Sequence, residues 1–351
     1  MINLKVGICD LPLHYGSCPR WLFKRMKKLG RAVSEIIIYE FGKDEFLRRI
    51  SDPFFFQSFA CVLGFDWHSS GVTTTVTGAL KEGLGNDLGL AVLGGKGRAS
   101  RKTPQEIESL ENIFSLSISK IESLKYASRL AAKIDNNCIQ AGFVLYHHSF
   151  FVTEDGKWAI VQQGLNSETR YARRYHWLSE KVKSFVVEPH LAICCDYKGK
   201  ALNMVAEESE ECRKTSVDLV KDNPESLKKY LLLDRKHEID LKNFKGLMNA
   251  HEFQPKNYEE LVAVKGLGAK SIRALALISS LIYYAEPSWR DPVKFSFSHG
   301  GKDGYPYPVD KKTYDKSIEI LKTAVDNAKL GSKEKIEAVR RLKDFIPKEF
   351  Q

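Results

Sequence analysis

No apolar run in this sequence approaches the ~18 residues needed to span a bilayer, and no charged-then-apolar leader with a cleavage site opens it. No membrane partner and a cytoplasmic location are therefore expected. Cysteine is scarce and unpatterned: Cys9, Cys18, Cys61, Cys138, Cys194, Cys195 and Cys212 are odd in number and contain no C-x-x-C pair. That argues against a disulfide framework and gives no sign of a cysteine zinc site, so the thiols read as reduced packing groups. A G-x-x-x-x-G-K-[ST] loop, a G-x-S-x-G elbow and an H-x-x-x-H helix are also missing. Their absence removes the sequence grounds for a Walker-type nucleotide site, a serine-hydrolase elbow or a zinc-peptidase helix.

What is present is a 351-residue chain with 43% hydrophobic residues, long enough for two or three domains with a sizeable core. The formal net charge of +10 favours a polyanionic partner by charge steering without identifying it. Residues 1–200 carry 27 Lys and Arg against 20 Asp and Glu, and residues 201–351 carry 27 against 24. The excess lies mostly in the first part.

The fold class read from the pattern is α+β. A mixed domain with short antiparallel strands, 1–205, is the candidate catalytic unit; a polar linker, 206–223, contains "AEESEECRKTS"; and an all-helical domain covers 224–351. In the first part, helical patterning begins near Pro19 and continues as separate helices at 32–41 and 43–50. The phenylalanines at 54, 55, 56 and 59 read as core under a buried helix. "LGLAVLGGKG" reads as a strand running into a glycine loop, and 104–138 as helical. The period then changes, because "FVLYHHSFFVTEDGKWAIVQQG" alternates like a β-hairpin turning at 154–157. Further strands are expected at 185–194 and 200–205. In the second part, helices are expected at 224–233, 240–251 and 257–264, then one ending near Tyr284. Two final helices follow a long Pro/Gly/aromatic loop.

"LVAVKGLGAKSIRAL", residues 261–275, joins two helical segments through Gly266-Leu267-Gly268. Glycines allow a tight turn at positive φ, and the N-terminus of the second helix presents backbone N–H groups that lack intrahelical partners. A phosphate can approach such a turn closely, helped by Lys265 and Lys270, with Ser271 opening the helix. The stretch resembles the helix-hairpin-helix (257–284) of DNA-repair and replication proteins, which grips the sugar-phosphate backbone without reading sequence. A glycine-turned αα-hairpin that only packs a core is the alternative. The segment is also similar to the hairpin of base-excision glycosylases. That likeness implies Lys270 as the attacking lysine and Asp291 as the nearest downstream acid after Glu286.

Polar residues in the first part supply the candidate chemistry. "GFDWHSSGVTTT" brings together Asp66, His68, Ser69 and Ser70 ahead of a helix. His147 and His148 sit in the first hairpin strand and point to opposite faces, so one of the two can join Asp66, His68 and Gln163, with Asp135 nearby. Histidine and carboxylate there suit general acid–base work on a phosphate, and Mg²⁺ or Mn²⁺ is a possible cofactor with no ligand set identifiable. "LGGKGRASRKTP" adds Lys96, Arg98 and Arg101 as phosphate contacts, against a solvated turn. "ETRYARRYHWLSEK" adds Arg173 and Arg174 among aromatics that could stack on unpaired bases, against an Arg-rich helix with its aromatics in the core.

On "LPLHYG", "PRWLFKRM", "DPFFFQSFACVLGFDWHSSGVTTTVTGALKE", "GGKGRASRKTP", "YHHSFFVTEDGKWAIVQQGLN", "RYARRYHWL", "GLGAKSIRALALIS" and "SWRDPVKFSFSHGGKDGYPYPVD", the chain resembles an uncharacterised archaeal and bacterial family, domain of unknown function 763. That family name implies no reaction. From the residues, the expected function is DNA binding in repair or recombination with nuclease action on phosphodiester bonds. Single-stranded or structured DNA is a better fit than plain duplex. A non-catalytic DNA-binding adaptor and a glycosylase/lyase using Lys270 are the alternatives.

Overall fold

The computed structural model describes residues 18–65, 69–195, 198–222, 244–293, 311–328 and 331–345. Four helices come first: α1 (Arg20–Phe41), α2 (Lys43–Ser51), α3 (Pro53–Leu63) and α4 (Ser70–Gly83). α3 shows why local sequence commits the chain. The Asp52 carboxylate accepts from the Phe54 and Phe55 N–H groups at 2.8 and 3.0 Å, and Pro53 occupies the first turn, where its missing N–H does no harm. Every residue of α3 is buried, as a helix apolar on all sides requires.

Next come β1 (Leu90–Lys96), the short helices α5 (Arg98–Arg101), α6 (Thr103–Glu108) and α7 (Leu110–Phe114), and the longer α8 (Ile118–Lys133). α8 runs into a π-turn, Ile134–Cys138. β2 (Ile139–Gln140), β3 (Val144–Thr153), β4 (Trp158–Asn166), β5 (Tyr171–Leu178), β6 (Ala192–Cys194) and β7 (Lys200–Asn203) follow. The second half contributes α9 (Glu210–Lys221), α10 (Lys245–Phe253), α11 (Tyr258–Ala263), α12 (Ala269–Tyr283), β8 (Ser288–Arg290), α13 (Lys311–Asn327) and α14 (Ser332–Phe345).

An antiparallel sheet ordered β1-β3-β4-β5-β6 lies between helices. One face, through Val92, Phe151, Ala159 and Val161, packs on α1 to α4; the other, through Phe150, Ile160, Tyr175 and Trp177, packs on α8, α9, α11 and α12. Both faces are covered, so the strands are buried almost throughout instead of alternating with solvent. The 154–157 turn of the β3–β4 hairpin is where the alternation places it.

Several expectations change. The helices at 20–41 are one, because Arg20–Phe41 keeps a single apolar stripe. The 206–223 linker contains α9, whose Cys212, Ser216, Val217 and Val220 are buried against the rest of the protein, so its acidic residues are one exposed face of a packed helix. The second part is not all helical: β8 pairs with β7, which pairs with β2, in a small sheet drawn from both halves. α13 returns Leu321 and Val325 to the α1–α4 core. The two halves therefore share cores. Of the strand expected at 185–194, only Ala192–Cys194 forms. The helix expected at 224–233 lies outside the described residues.

Candidate functional site

Antiparallel register places Lys96, His147, Gln163 and Arg174 side by side across β1, β3, β4 and β5, and Gly95, His148, Gln162 and Tyr175 in the next row. A register shift between Leu145 and His147 marks a bulge at Tyr146, just before the histidines, a device that re-aims neighbouring side chains. Strand alternation then sends the two rows to opposite faces.

On the α4 face, His147 Nε2 lies 2.9 Å from Thr77 Oγ1 and 3.0 Å from Ser149 Oγ, while its Nδ1 has no hydrogen-bond partner among the described residues. Gln163 donates to the Ser70 carbonyl at 2.8 Å and to the Tyr146 hydroxyl, and accepts from Thr73. On the α8 face, His148 Nε2 meets Ser128 Oγ at 2.9 Å and His148 Nδ1 meets Gln162 Oε1 at 2.7 Å. Gln162 Nε2 donates to Asp135 at 2.6 Å, and that carboxylate also accepts from Trp177 Nε1 at 3.0 Å and pairs with His190. Burial pushes His147 down to about 3, with His148 and Lys96 adding to the effect, and His148 down to about 4 against the opposing effect of its hydrogen bond to the Gln162 oxygen. Both imidazoles are neutral at pH 7. Burial raises the Asp135 carboxyl, while its donors pull the other way.

A cleft of about 520 Å³ opens over this end of the sheet, lined by Arg101, Ser128, Arg129, Lys133, His147 and His148 among others. The π-turn supplies Asn136 and Asn137 to its wall and turns Asp135 inward. Arg129 and Lys133 were not singled out in the sequence, although their i, i+4 spacing on an otherwise apolar-faced helix is a readable signal. Lys133 also reaches the second half of the chain. Its ammonium donates to the carbonyls of Val262, Ala263 and Val264 at 2.9, 2.9 and 2.6 Å, which closes the C-terminus of α11. Burial holds its pKa below the ordinary lysine value.

The turn between α11 and α12 begins there. Gly266 has φ +91°, whereas Gly268 is extended at φ −117° and ψ −176°. Lys265, Gly266 and Lys270 are exposed, Gly268 is half-buried, and Ser271 is buried. The turn is seated by Asn249 Nδ2 on the Lys265 carbonyl at 2.9 Å and by Gln140 Nε2 on the Ala269 carbonyl at 2.8 Å. A Cβ on Gly246 of α10 would stand 2.3 Å from the Gly266 oxygen, so this backbone approach depends on glycine.

The structure thus brings His148 and Arg101 to one cleft, whereas the His147 residue lines it but turns its imidazole to the opposite face, where it and Gln163 are bonded beneath α4. Lys96, the last residue of β1, and Arg98, the first of α5, are exposed on either side of the Gly97 turn, and Lys96 Nζ lies 5.9 Å from the Tyr146 ring centre. Part of the glycine-rich backbone there is already committed: the Gly94 N–H donates to Glu106 at 2.7 Å and the Gly97 N–H to the Tyr146 carbonyl at 2.7 Å. Asp66 and His68 lie outside the described residues. Arg173 and Arg174 are corrected, since both are 0% exposed on β5, a strand paired on both edges. Arg173 pairs with Asp291 at 2.7 Å and lies 4.3 Å from the Phe143 ring centre. Arg174 donates to His176 at 3.0 Å and lies 4.4 Å from the Phe56 ring centre. Neither can meet a surface phosphate, and Tyr175, His176 and Trp177 are core rather than a stacking platform. No group of three His, Cys, Asp or Glu that could hold a metal is found among the described residues. Nor is any described helix long and apolar enough to cross a membrane.

A family model covers most of this architecture, from residue 7 to residue 309. The chain belongs to that family, described as "Protein of unknown function (DUF763)". No curated protein and no solved structure matches it.

Proposed function

We propose that the protein binds DNA through the turn at 264–271, read as a helix-hairpin-helix, and hydrolyses phosphodiester bonds in the adjoining cleft, in the setting of repair or recombination. The observation that carries this reading is the double placement of Lys133: one side chain lines the His147–His148 cleft and holds the last carbonyls before the turn. A strand gripped at Lys265, Gly266 and Lys270 would then meet Arg129 and Arg101 on the cleft wall that Lys133 ties to the turn, and those two cations would stabilise charge on a reacting phosphate. A cleft of about 520 Å³ suits an unpaired nucleotide, which favours single-stranded or flapped DNA.

The test is cleavage of labelled single-stranded, duplex and flapped DNA, with and without Mg²⁺ or Mn²⁺. Arg101→Ala combined with Arg129→Ala should abolish most cleavage, and Lys265→Gln with Lys270→Gln should lower the salt dependence of binding by about one to two counterions. Binding that is absent at every salt concentration sinks the proposal. A second reading, a DNA-binding adaptor without catalysis, is favoured by the exposure of His147 and His148, only 1% and 5%; stable binding with no cleavage of any substrate would support it. The lyase reading loses its acid, because Asp291 is engaged by Arg173 and by the Gly199 N–H at 3.2 Å.

A further inference from the structure

Ser128, on the face of α8 that meets the cleft, takes part in nothing proposed above beyond a contact with His148. Its surroundings have the order of an activated nucleophile: hydroxyl, imidazole, and a third group that orients the imidazole. With Asp135 ionised, each proton in the row follows from the donors and acceptors present. Asp135 accepts from Trp177, which can only donate, and from the Gln162 amide nitrogen, so the Gln162 oxygen faces His148. An amide oxygen can only accept, so His148 carries its proton on Nδ1. The bare Nε2 then points at the Ser128 hydroxyl, 2.9 Å away. The whole row ends in the cleft that Arg101, Arg129 and Lys133 surround.

We propose that Ser128 is a catalytic nucleophile that forms a covalent phosphoserine diester with one DNA strand, with His148 as its base and Gln162 and Asp135 as positioning residues. This rests on the nuclease reading above. Ser128 Oγ bonds to phosphorus as its proton passes to His148 Nε2; the bond from phosphorus to the departing nucleoside oxygen breaks, and His148 returns the proton to that oxygen. Water then attacks the phosphorus with His148 as base, and Oγ leaves and regains its proton. Nothing is oxidised or reduced, and the phosphodiester stays monoanionic from substrate to adduct. The anionic phosphate beside His148 raises its basicity above that of the empty site.

The experiment is an acid-quenched reaction of the full chain with radiolabelled single-stranded and flapped oligonucleotides, run on a denaturing gel, with tryptic mass spectrometry of the labelled band. The expected result is label on wild-type protein, mapped to the peptide containing Ser128. Ser128→Ala should give no label, with cleavage reduced by at least about 100-fold and DNA affinity changed by less than about two-fold. Cleavage by wild type without any adduct overturns the covalent step, even where Ser128→Ala is inactive, because Ser128 then only places His148. A chain that neither binds nor cuts DNA overturns the nuclease reading as well. The wild-type adduct measurement does not depend on how well the variant folds.

Discussion

Replacing Lys133 by Met removes one ammonium while keeping an apolar stem, and so isolates the link between cleft and turn. Three hydrogen bonds are lost, to carbonyls of which Val262 and Val264 are buried and Ala263 is half-buried. A hydrogen bond to a charged group contributes about 1.5–3 kcal/mol net, and a cation at a helix C-terminus adds about 0.3–1 kcal/mol. The three bonds share one donor and are not additive, and the Ala263 oxygen can recover water. The expected destabilisation is therefore about 2–4 kcal/mol rather than the sum. Urea unfolding at pH 7 measures it, and amide hydrogen exchange at 264–271 should rise ahead of global unfolding. Lys133→Arg, which keeps the charge, should retain more than half of the stability. A loss below about 0.5 kcal/mol with unchanged exchange at the turn would refute the idea that Lys133 holds it.

Three other expectations follow from the geometry. Gly268→Ala should leave stability within about 0.5 kcal/mol, because its backbone is extended and nothing lies within 4 Å of the added carbon, while Gly266→Ala should cost about 1–2 kcal/mol from its positive φ. Gly246→Ala should cost more than Gly266→Ala in the same denaturation assay, since its added carbon meets backbone at 2.3 Å; equal effects at all three glycines would contradict the turn. Asp291→Ala leaves the buried Arg173 without its carboxylate and should cost about 3–5 kcal/mol, whereas joint replacement by Arg173→Met and Asp291→Leu should recover most of that in a thermal melt. In acid, the depressed histidines set the sign. The unfolded chain takes up protons below the ordinary value of 6.5, and the native chain does not until about 4 at His148 and about 3 at His147. Stability is thus full above 6.5 and falls as pH drops toward 4, by roughly 3 kcal/mol for His148 alone. His148→Gln should flatten that loss, and an unchanged slope between pH 6.5 and 4.5 would count against a neutral buried His148.

Local patterns were legible where one periodicity ruled. The β3–β4 hairpin, the glycine-loop strand β1, the buried phenylalanine helix and the short helices around 258–283 can all be read from spacing and caps. β5 was not, because "YARRYHWL" mixes charge and aromatics without alternation; a strand covered on both faces can bury arginine only when distant partners such as Asp291 and Phe56 are supplied. The cleft was half legible. His147, His148 and Arg101 were picked out by type, but Ser128 was hidden in a helix that reads as core, and Arg129 and Lys133 showed there only as an i, i+4 pair of cations.

From the order of its residues alone, this chain determined most of its helices, the β3–β4 hairpin, its basic character and the glycine turn at Gly266, because each depends on neighbours a few positions apart. Tertiary structure decided what those elements do to one another. It put Arg173 inside and Arg129 outside, aligned Ser128 with His148 across 20 residues of sequence, and used Lys133 to bring the cleft wall against a turn some 130 residues on. Burial and pairing depend on which distant surfaces meet, and no local spacing encodes that meeting.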